Sequence, residues 1–145
     1  MSDTLLTNLM RVAVQNASAD RGMACDNALA IIATVNLEQS EALSEKLTEL
    51  VTRALASGKP YIGNNAVRDV VAAPRTNTSF DNLRGIVVIP VPGKGAIYLD
   101  RPIRKGLIPQ NIVNALFKIA SQTQEAGQPE PTEAYLQSLY QQIIT

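Results

Sequence analysis

The sequence predicts an α+β domain in which a central pair of strands is covered by helices. Two apolar runs, Ile86–Ile89 and Ala96–Leu99, flank a turn rich in proline and glycine. Because neither run alternates with polar residues, both faces of each strand should be covered, which places the pair at the centre of a sheet. Amphipathic stripes with helical spacing precede and follow the pair, so helices are expected on at least one face.

The first third of the chain predicts a helix followed by a hairpin. A helix is expected from about Thr4 to Ser18, because apolar residues recur there at helical spacing. Two short strands, Arg21–Asp26 and Leu29–Thr34, should follow, joined by a tight turn at Asp26–Asn27.

The middle of the chain predicts an amphipathic helix and then a short strand. The apolar stripe of this helix consists of Leu43, Leu47, Leu50, Val51, Ala54 and Leu55. Gly58 suits the position after the last helical turn, and Pro60 prevents the helix from continuing. Tyr61 and Ile62 should then begin a strand.

The C-terminal part predicts two helices separated by a stiff linker. Pro109 is suited to the first position of a helix that ends near Gly127. A Pro-containing linker at 128–131 precedes an amphipathic helix at 132–144, whose apolar residues are Tyr135, Leu136, Leu139, Tyr140 and Ile143. We therefore divide the chain into a domain at 1–127 and a segment at 128–145, whose helix packs on that domain or on a partner.

The composition excludes several classes of function. Thirteen basic and thirteen acidic residues give a formal net charge of zero, so no overall field attracts nucleic acid or an anionic membrane. The absence of histidine excludes Ser-His-Asp and Cys-His catalytic sites and nearly all zinc sites. The apolar runs are too short to span a membrane, and the start of the chain lacks a secretory signal. We expect a cytoplasmic protein that is not an enzyme.

Four fragments, taken in order, resemble GAF domains. They are the helix from Leu5 that leads into Asp20-Arg21-Gly22-Met23, the stretch LVTRALASGKPYI at 50–62, the stretch IVVIPVPGKGAIYLD at 86–100, and the helix from Pro109. The resemblance covers about Leu5 to Glu125, which is most of the chain.

The resemblance implies an antiparallel sheet of five or six strands. In this family, helices from the two chain ends pack on one face of the sheet and a ligand pocket lies on the other. It implies a sensory or regulatory domain that binds a small molecule or acts in signalling interactions. We expect this chain to be non-enzymatic and to have no resident cofactor. Two alternatives stay open: a homodimerisation module without a ligand and, more weakly, a redox-type GAF enzyme.

Departures from the family narrow the choice of ligand. The stretch Asn77–Asn82 lacks the lysine and the acid pair of cyclic-nucleotide members. Cys25 stands too early in the fold to attach a tetrapyrrole, and one cysteine cannot form the resolving disulfide of redox members. Cys25 is expected to be a small buried hydrophobic residue.

The polar segment from Gly63 to Asn82 is the candidate ligand-binding region, because the family places its ligand lid there. Its candidate residues are Asn64, Asn65, Arg68, Asp69, Arg75, Asn77, Phe80 and Asp81. Arg68 or Arg75 would hold an anion. Tyr98, on the second central strand, either reaches into the pocket or packs under a helix. The alternative is a solvated loop that caps itself through Asn and Asp side chains.

Two further polar motifs have simpler explanations. Gly93-Lys94-Gly95 lacks the following helix and the Ser or Thr of a phosphate-binding loop, so a hairpin turn is favoured. Arg101, Arg104 and Lys105 are expected to lie in a solvated loop.

A homodimer through the terminal helices is expected. One domain of this size should lack the surface to bury three apolar helical stripes, and two-fold pairing would cover them. The alternative is that the last helix folds back over its own domain.

Overall fold

The computed structural model describes residues 2–36, 45–64, 84–102, 108–122 and 132–144. Within these ranges there are four helices and five strands. The helices are α1 (Ser2–Ala17), α2 (Glu45–Ser57), α3 (Gln110–Gln122) and α4 (Glu133–Ile144). The strands are β1 (Arg21–Asp26), β2 (Ile31–Val35), β3 (Tyr61–Asn64), β4 (Arg84–Val91) and β5 (Gly95–Pro102).

The strands form one antiparallel sheet in the order β2-β1-β5-β4-β3. The predicted α+β class is therefore confirmed, and so is the central position of the two apolar runs. β4 pairs with β5 from Arg84 opposite Pro102 to Val91 opposite Gly95. On its other side, β5 pairs with β1 from Arg21 opposite Asp100 to Asp26 opposite Gly95.

One face of the sheet, here called the helix face, is covered by α1, α3 and α4. Residues from these helices form a single apolar core with alternate residues of the central strands. Those strand residues are Ala24, Val87, Ile89, Val91, Ile97 and Leu99. The helices at the two ends of the described chain thus share one face of the sheet.

Gly22 allows α1 to lie close against β1. A Cβ atom at this position would lie 2.5 Å from Val14 Cγ2 and 3.1 Å from Met10 Sδ. Both of those side chains belong to the adjacent helix, so any residue larger than glycine would push α1 away from the sheet.

Two helices end in left-handed residues, as helix C-termini commonly do. Ser18 has φ 55° and follows α1, and the amide of Ala19 donates to the carbonyl of Val14 at 3.0 Å. Gly58 has φ 71° and follows α2, and its amide donates to the carbonyl of Ala54 at 2.9 Å. The predicted capping role of Gly58 is confirmed.

The turn between β1 and β2 is longer than predicted. Asp26 Oδ1 accepts hydrogen bonds from the amides of Ala28 and Ala30, and Leu29 sits between them with φ 68°. The side chain of Asp26 thus organises a four-residue connection, and β2 begins at Ile31 instead of Leu29.

The last helix packs on its own domain. Leu136 and Tyr140 of α4 are buried in the core of the helix face. Asn16 and Gln137 exchange side-chain hydrogen bonds of 2.6 and 3.2 Å between α1 and α4. The domain thus buries part of the apolar stripe of α4, although the dimer was predicted because a single domain was expected to leave that stripe uncovered. Tyr135, Leu139 and Ile143 pack against the same core but stay partly exposed.

The opposite face of the sheet, here called the α2 face, packs against α2. Leu50, Val51 and Ala54 of α2 form a second apolar core with strand residues of this face. Those strand residues are Met23, Cys25, Ile86, Val88, Ala96 and Tyr98. α2 contacts β3, β4 and β5, so it lies over the β3 side of the sheet.

Candidate functional site

A cluster of three polar side chains lies on the α2 face, where β1 begins and β5 nears its end. Its members are Arg21, Tyr98 and Asp100. Arg21 pairs in register with Asp100, and Tyr98 lies two residues before Asp100. Since alternate residues of a strand share a face, all three belong to the face that α2 covers. We call them the Arg21–Tyr98–Asp100 cluster.

Asp100 is the acceptor at the centre of the cluster. Arg21 Nε donates to Asp100 Oδ1 at 3.0 Å and to Oδ2 at 3.2 Å. Arg21 Nη2 donates to Oδ2 at 2.8 Å, and the Tyr98 hydroxyl donates to the same oxygen at 2.6 Å. The guanidinium thus grips both carboxylate oxygens, which is the arrangement that gives an arginine–carboxylate pair its fixed geometry.

Because the Asp100 carboxylate is buried away from water, it needs these hydrogen bonds. The exposed fraction of the Asp100 side chain is 0 %, and that of Arg21 is 14 %. Within the described residues, Asp100 is the one residue of the buried class that carries a charged side chain. A buried carboxylate needs both a counter-charge and hydrogen-bond donors, and Arg21 and Tyr98 supply them.

The functional groups of the cluster hydrogen-bond to one another. Its chemistry consists of a carboxylate, a guanidinium and a phenol, so it offers hydrogen bonds and charge. Among the described residues, no group of three or more Asp, Glu or Cys side chains is placed to hold a metal ion.

Two of the predicted site residues lie within the described residues. Tyr98 is fully buried on the α2 face and belongs to the cluster. Two roles were predicted for Tyr98, reaching into a pocket or packing under a helix. Its ring packs in the apolar core with α2, and its hydroxyl binds Asp100. Asn64 is the last residue of β3 and pairs with Gly85, one register position from Asp100's partner Ile86.

The other predicted site residues lie outside the described ranges. They are Asn65, Arg68, Asp69, Arg75, Asn77, Phe80 and Asp81. Their proposed contact with a ligand stays a prediction.

Arg21 and Asp100 were not among the predicted site residues. One sequence feature pointed to Asp100. This residue follows an apolar run and lies two positions after Tyr98, so the two side chains share one face of the strand. Its partner stands 79 residues earlier in the chain, and only the pairing of β1 with β5 brings the two together.

Cys25 lies on the α2 face but outside the cluster. It is buried, as predicted. The pKa of its thiol is raised from 9.0 to about 11, mainly by burial; a hydrogen bond with the backbone of Ala96 lowers the pKa by less, and the nearby charge of Asp26 makes the smallest contribution, a rise. Such a thiol is protonated at neutral pH and therefore a poor nucleophile.

The sequence predicted a hairpin turn for one polar motif and a solvated loop for another, and the structure agrees with only the first. Gly93-Lys94-Gly95 lies at the β4–β5 hairpin turn, closed by a 2.9 Å bond from the Lys94 amide to the Val91 carbonyl. The hairpin prediction is confirmed. The prediction of a solvated loop is wrong for Arg101, which lies in β5, is half-buried and donates to the carbonyl of Ala17 at 3.0 Å. Arg104 and Lys105 lie outside the described residues.

Every helix in the described part of the chain is too short or too polar to cross a bilayer. Comparison of the chain with protein-family models, with curated proteins and with solved structures gave no match.

Proposed function

We propose that the chain is a non-enzymatic, GAF-like sensory or regulatory domain that binds a small polar molecule on the α2 face. The observation that carries this proposal is the Arg21–Tyr98–Asp100 cluster. It is a buried polar group on a sheet face that is otherwise lined by apolar residues. A few polar groups set in an apolar wall are typical of ligand sites, because they fix the orientation of the ligand.

The placement of the helices on the two faces of the sheet supports the proposal. The terminal helices occupy the helix face, and α2 covers the other. The GAF resemblance implies that the terminal helices lie on one face and the ligand on the other. The neutral net charge and the short apolar runs underlie our proposal of a cytoplasmic protein that binds neither nucleic acid nor membrane.

A thermal-shift screen of nucleotides, amino acids and other metabolites tests the ligand. A compound at one hundred times its dissociation constant should add about 2.7 kcal/mol to the free energy of unfolding. Tyr98→Phe should weaken the binding of any hit. Tyr140→Phe is the matched control, because it removes a buried phenol from the helix face. A hit that both variants bind as tightly as the unaltered protein would contradict the assignment to the α2 face.

A homodimerisation module is the second candidate. The partly exposed residues Tyr135, Leu139 and Ile143 of α4 favour it, since a two-fold partner would cover them. Light scattering should give a dimer for the full chain and a monomer for Leu139→Glu, which changes the partly exposed stripe of α4 and keeps the buried Leu136 and Tyr140. A monomeric full chain at high micromolar concentration would contradict the dimer.

The redox-type enzyme is the weakest candidate. It needs a reactive thiolate, and the raised pKa of Cys25 works against one. Oxidation of the protein without any change in its binding or assembly would agree with a purely structural Cys25.

A further inference from the structure

A network of hydrogen bonds, joined through the backbone of Asp100 and Arg101, connects the α2 face to the C-terminal end of α1 on the other side of the sheet. It starts at the Tyr98 hydroxyl, 2.6 Å from Asp100 Oδ2. From there it divides into two branches that both reach the α1–β1 junction, the segment 17–21 that joins the helix to the first strand.

The first branch runs through the backbone of Asp100. Its carbonyl accepts a hydrogen bond of 2.9 Å from the amide of Asp20, directly before Arg21. Because Arg21 also grips the Asp100 carboxylate, both backbone and side chain of Asp100 hold this junction. Asn36 Nδ2 donates to the Asp20 carbonyl at 3.1 Å and ties the end of β2 to the same place.

The second branch crosses the sheet through Arg101. Successive residues of a strand point to opposite faces, so Arg101 points away from the cluster. Its Nη1 donates to the carbonyl of Ala17, the last residue of α1, at 3.0 Å. A cation at this position also interacts favourably with the negative end of the helix dipole. Asp100 and Arg101 thus hold opposite sides of one junction.

We infer that the Arg21–Tyr98–Asp100 cluster is energetically coupled to the end of α1, so that a change in the cluster on the α2 face alters the stability of the α1–β1 junction. The coupling acts through named bonds and extends toward α4, because Asn16 in the last turn of α1 holds Gln137. This inference goes beyond the proposed function and needs no ligand, so it stands or falls separately from it.

Amide hydrogen exchange on the full chain, without ligand, tests the coupling. Two amides report on the junction: Ala19, bonded to Val14, and Asp20, bonded to Asp100. The reference is the amide of Gly58, which closes the end of α2 in a similar way. In Tyr98→Phe, the loss of a hydrogen bond to a buried carboxylate should speed exchange at the two reporters about tenfold over the reference.

Tyr61→Phe is the matched control. Tyr61 and Tyr98 both pair with Val88 from opposite sides, so they lie on the same sheet face. Tyr61 packs against the same apolar core, and its substitution leaves the cluster intact. Reporter exchange that is no faster in Tyr98→Phe than in Tyr61→Phe would overturn the inference. Acceleration that is equal at the reporters and at Gly58 would overturn it as well, because it would reflect global destabilisation.

Arg21→Lys gives a second, independent test if Tyr98→Phe does not fold. Lysine keeps the charge but cannot form the parallel bonds of a guanidinium. The same selective acceleration at Ala19 and Asp20 is expected, and its absence contradicts the coupling.

Discussion

Arg21 and Asp100 form a buried ion pair across β1 and β5, with three nitrogen–oxygen distances of 3.0, 3.2 and 2.8 Å. Their backbones are direct register partners, so the sheet itself positions the pair. Arg21 retains 14 % of its side-chain exposure, whereas Asp100 retains none. The cost of losing the pair therefore falls on the carboxylate, which would be left buried without its counter-charge.

Arg21→Met should lower the free energy of unfolding by about 3–5 kcal/mol, because it leaves a buried charge without its partner. Urea denaturation measures the change. Arg53→Met is the control, since the Arg53–Glu49 pair is more than half exposed and should contribute less than about 1 kcal/mol. Equal losses of unfolding free energy in the two variants would show that the buried pair stabilises the fold no more than the exposed pair does.

Gly22→Ala should destabilise the protein by about 1–3 kcal/mol through overpacking. The added methyl group would meet Val14 Cγ2 at 2.5 Å. A second substitution, Val14→Ala, makes room for that methyl group. The double variant should therefore lose less stability than the sum of the two single variants, and strict additivity would refute the steric explanation.

Ser18→Gly should stabilise the protein by about 0.5–1 kcal/mol, because glycine adopts a left-handed conformation without strain. Ser18 has φ 55° at the end of α1. Asn36→Gly is a useful comparison, since Asn36 has the same φ but also binds the Asp20 carbonyl. It should give no gain. Thermal unfolding separates the two, and a lower melting temperature for Ser18→Gly would contradict the prediction.

The free energy of unfolding should fall as the pH rises from 9 to 11. Burial raises the pKa of Cys25 in the folded state to about 11, above the ordinary 9.0, so folding favours the neutral thiol. This contribution is complete below pH 9 and is lost toward pH 11, by about 2–3 kcal/mol in total. Burial also raises the pKa of Tyr140, which acts in the same direction.

Urea denaturation at several alkaline pH values measures this loss. Cys25→Ala in a Tyr140→Phe background should flatten the pH dependence relative to Tyr140→Phe alone. Thiol reagents should also label native Cys25 slowly and label it faster in denaturant. Rapid labelling of the native protein would show that the thiol is accessible.

Local patterns predicted the elements better than their ends. The apolar runs Ile86–Ile89 and Ala96–Leu99 indicated the central hairpin, but the strands extend to Arg84 and Pro102. Apart from Val91, the added residues are polar, glycine or proline, and backbone pairing across the sheet determines their conformation. Likewise, the start of β2 depends on the hydrogen bonds of Asp26, which periodicity does not reveal.

The candidate site was harder to predict than the fold. Tyr98 could be chosen because it interrupts an apolar strand with a polar atom. Arg21 resembled any charged residue at the start of a strand, and its role depends on a partner 79 residues away. Contacts between distant residues follow from strand order, which a single sequence does not specify.

The strand order also determines when the protein can fold during its synthesis. β1 must wait for β5, its neighbour in the middle of the sheet. At about 5–20 residues per second, the 79 residues that separate Arg21 from Asp100 take roughly 4–16 s to synthesise. During that time the apolar side of α1 has no completed sheet to cover it. Until β5 has been synthesised, this uncovered apolar surface is prone to aggregation.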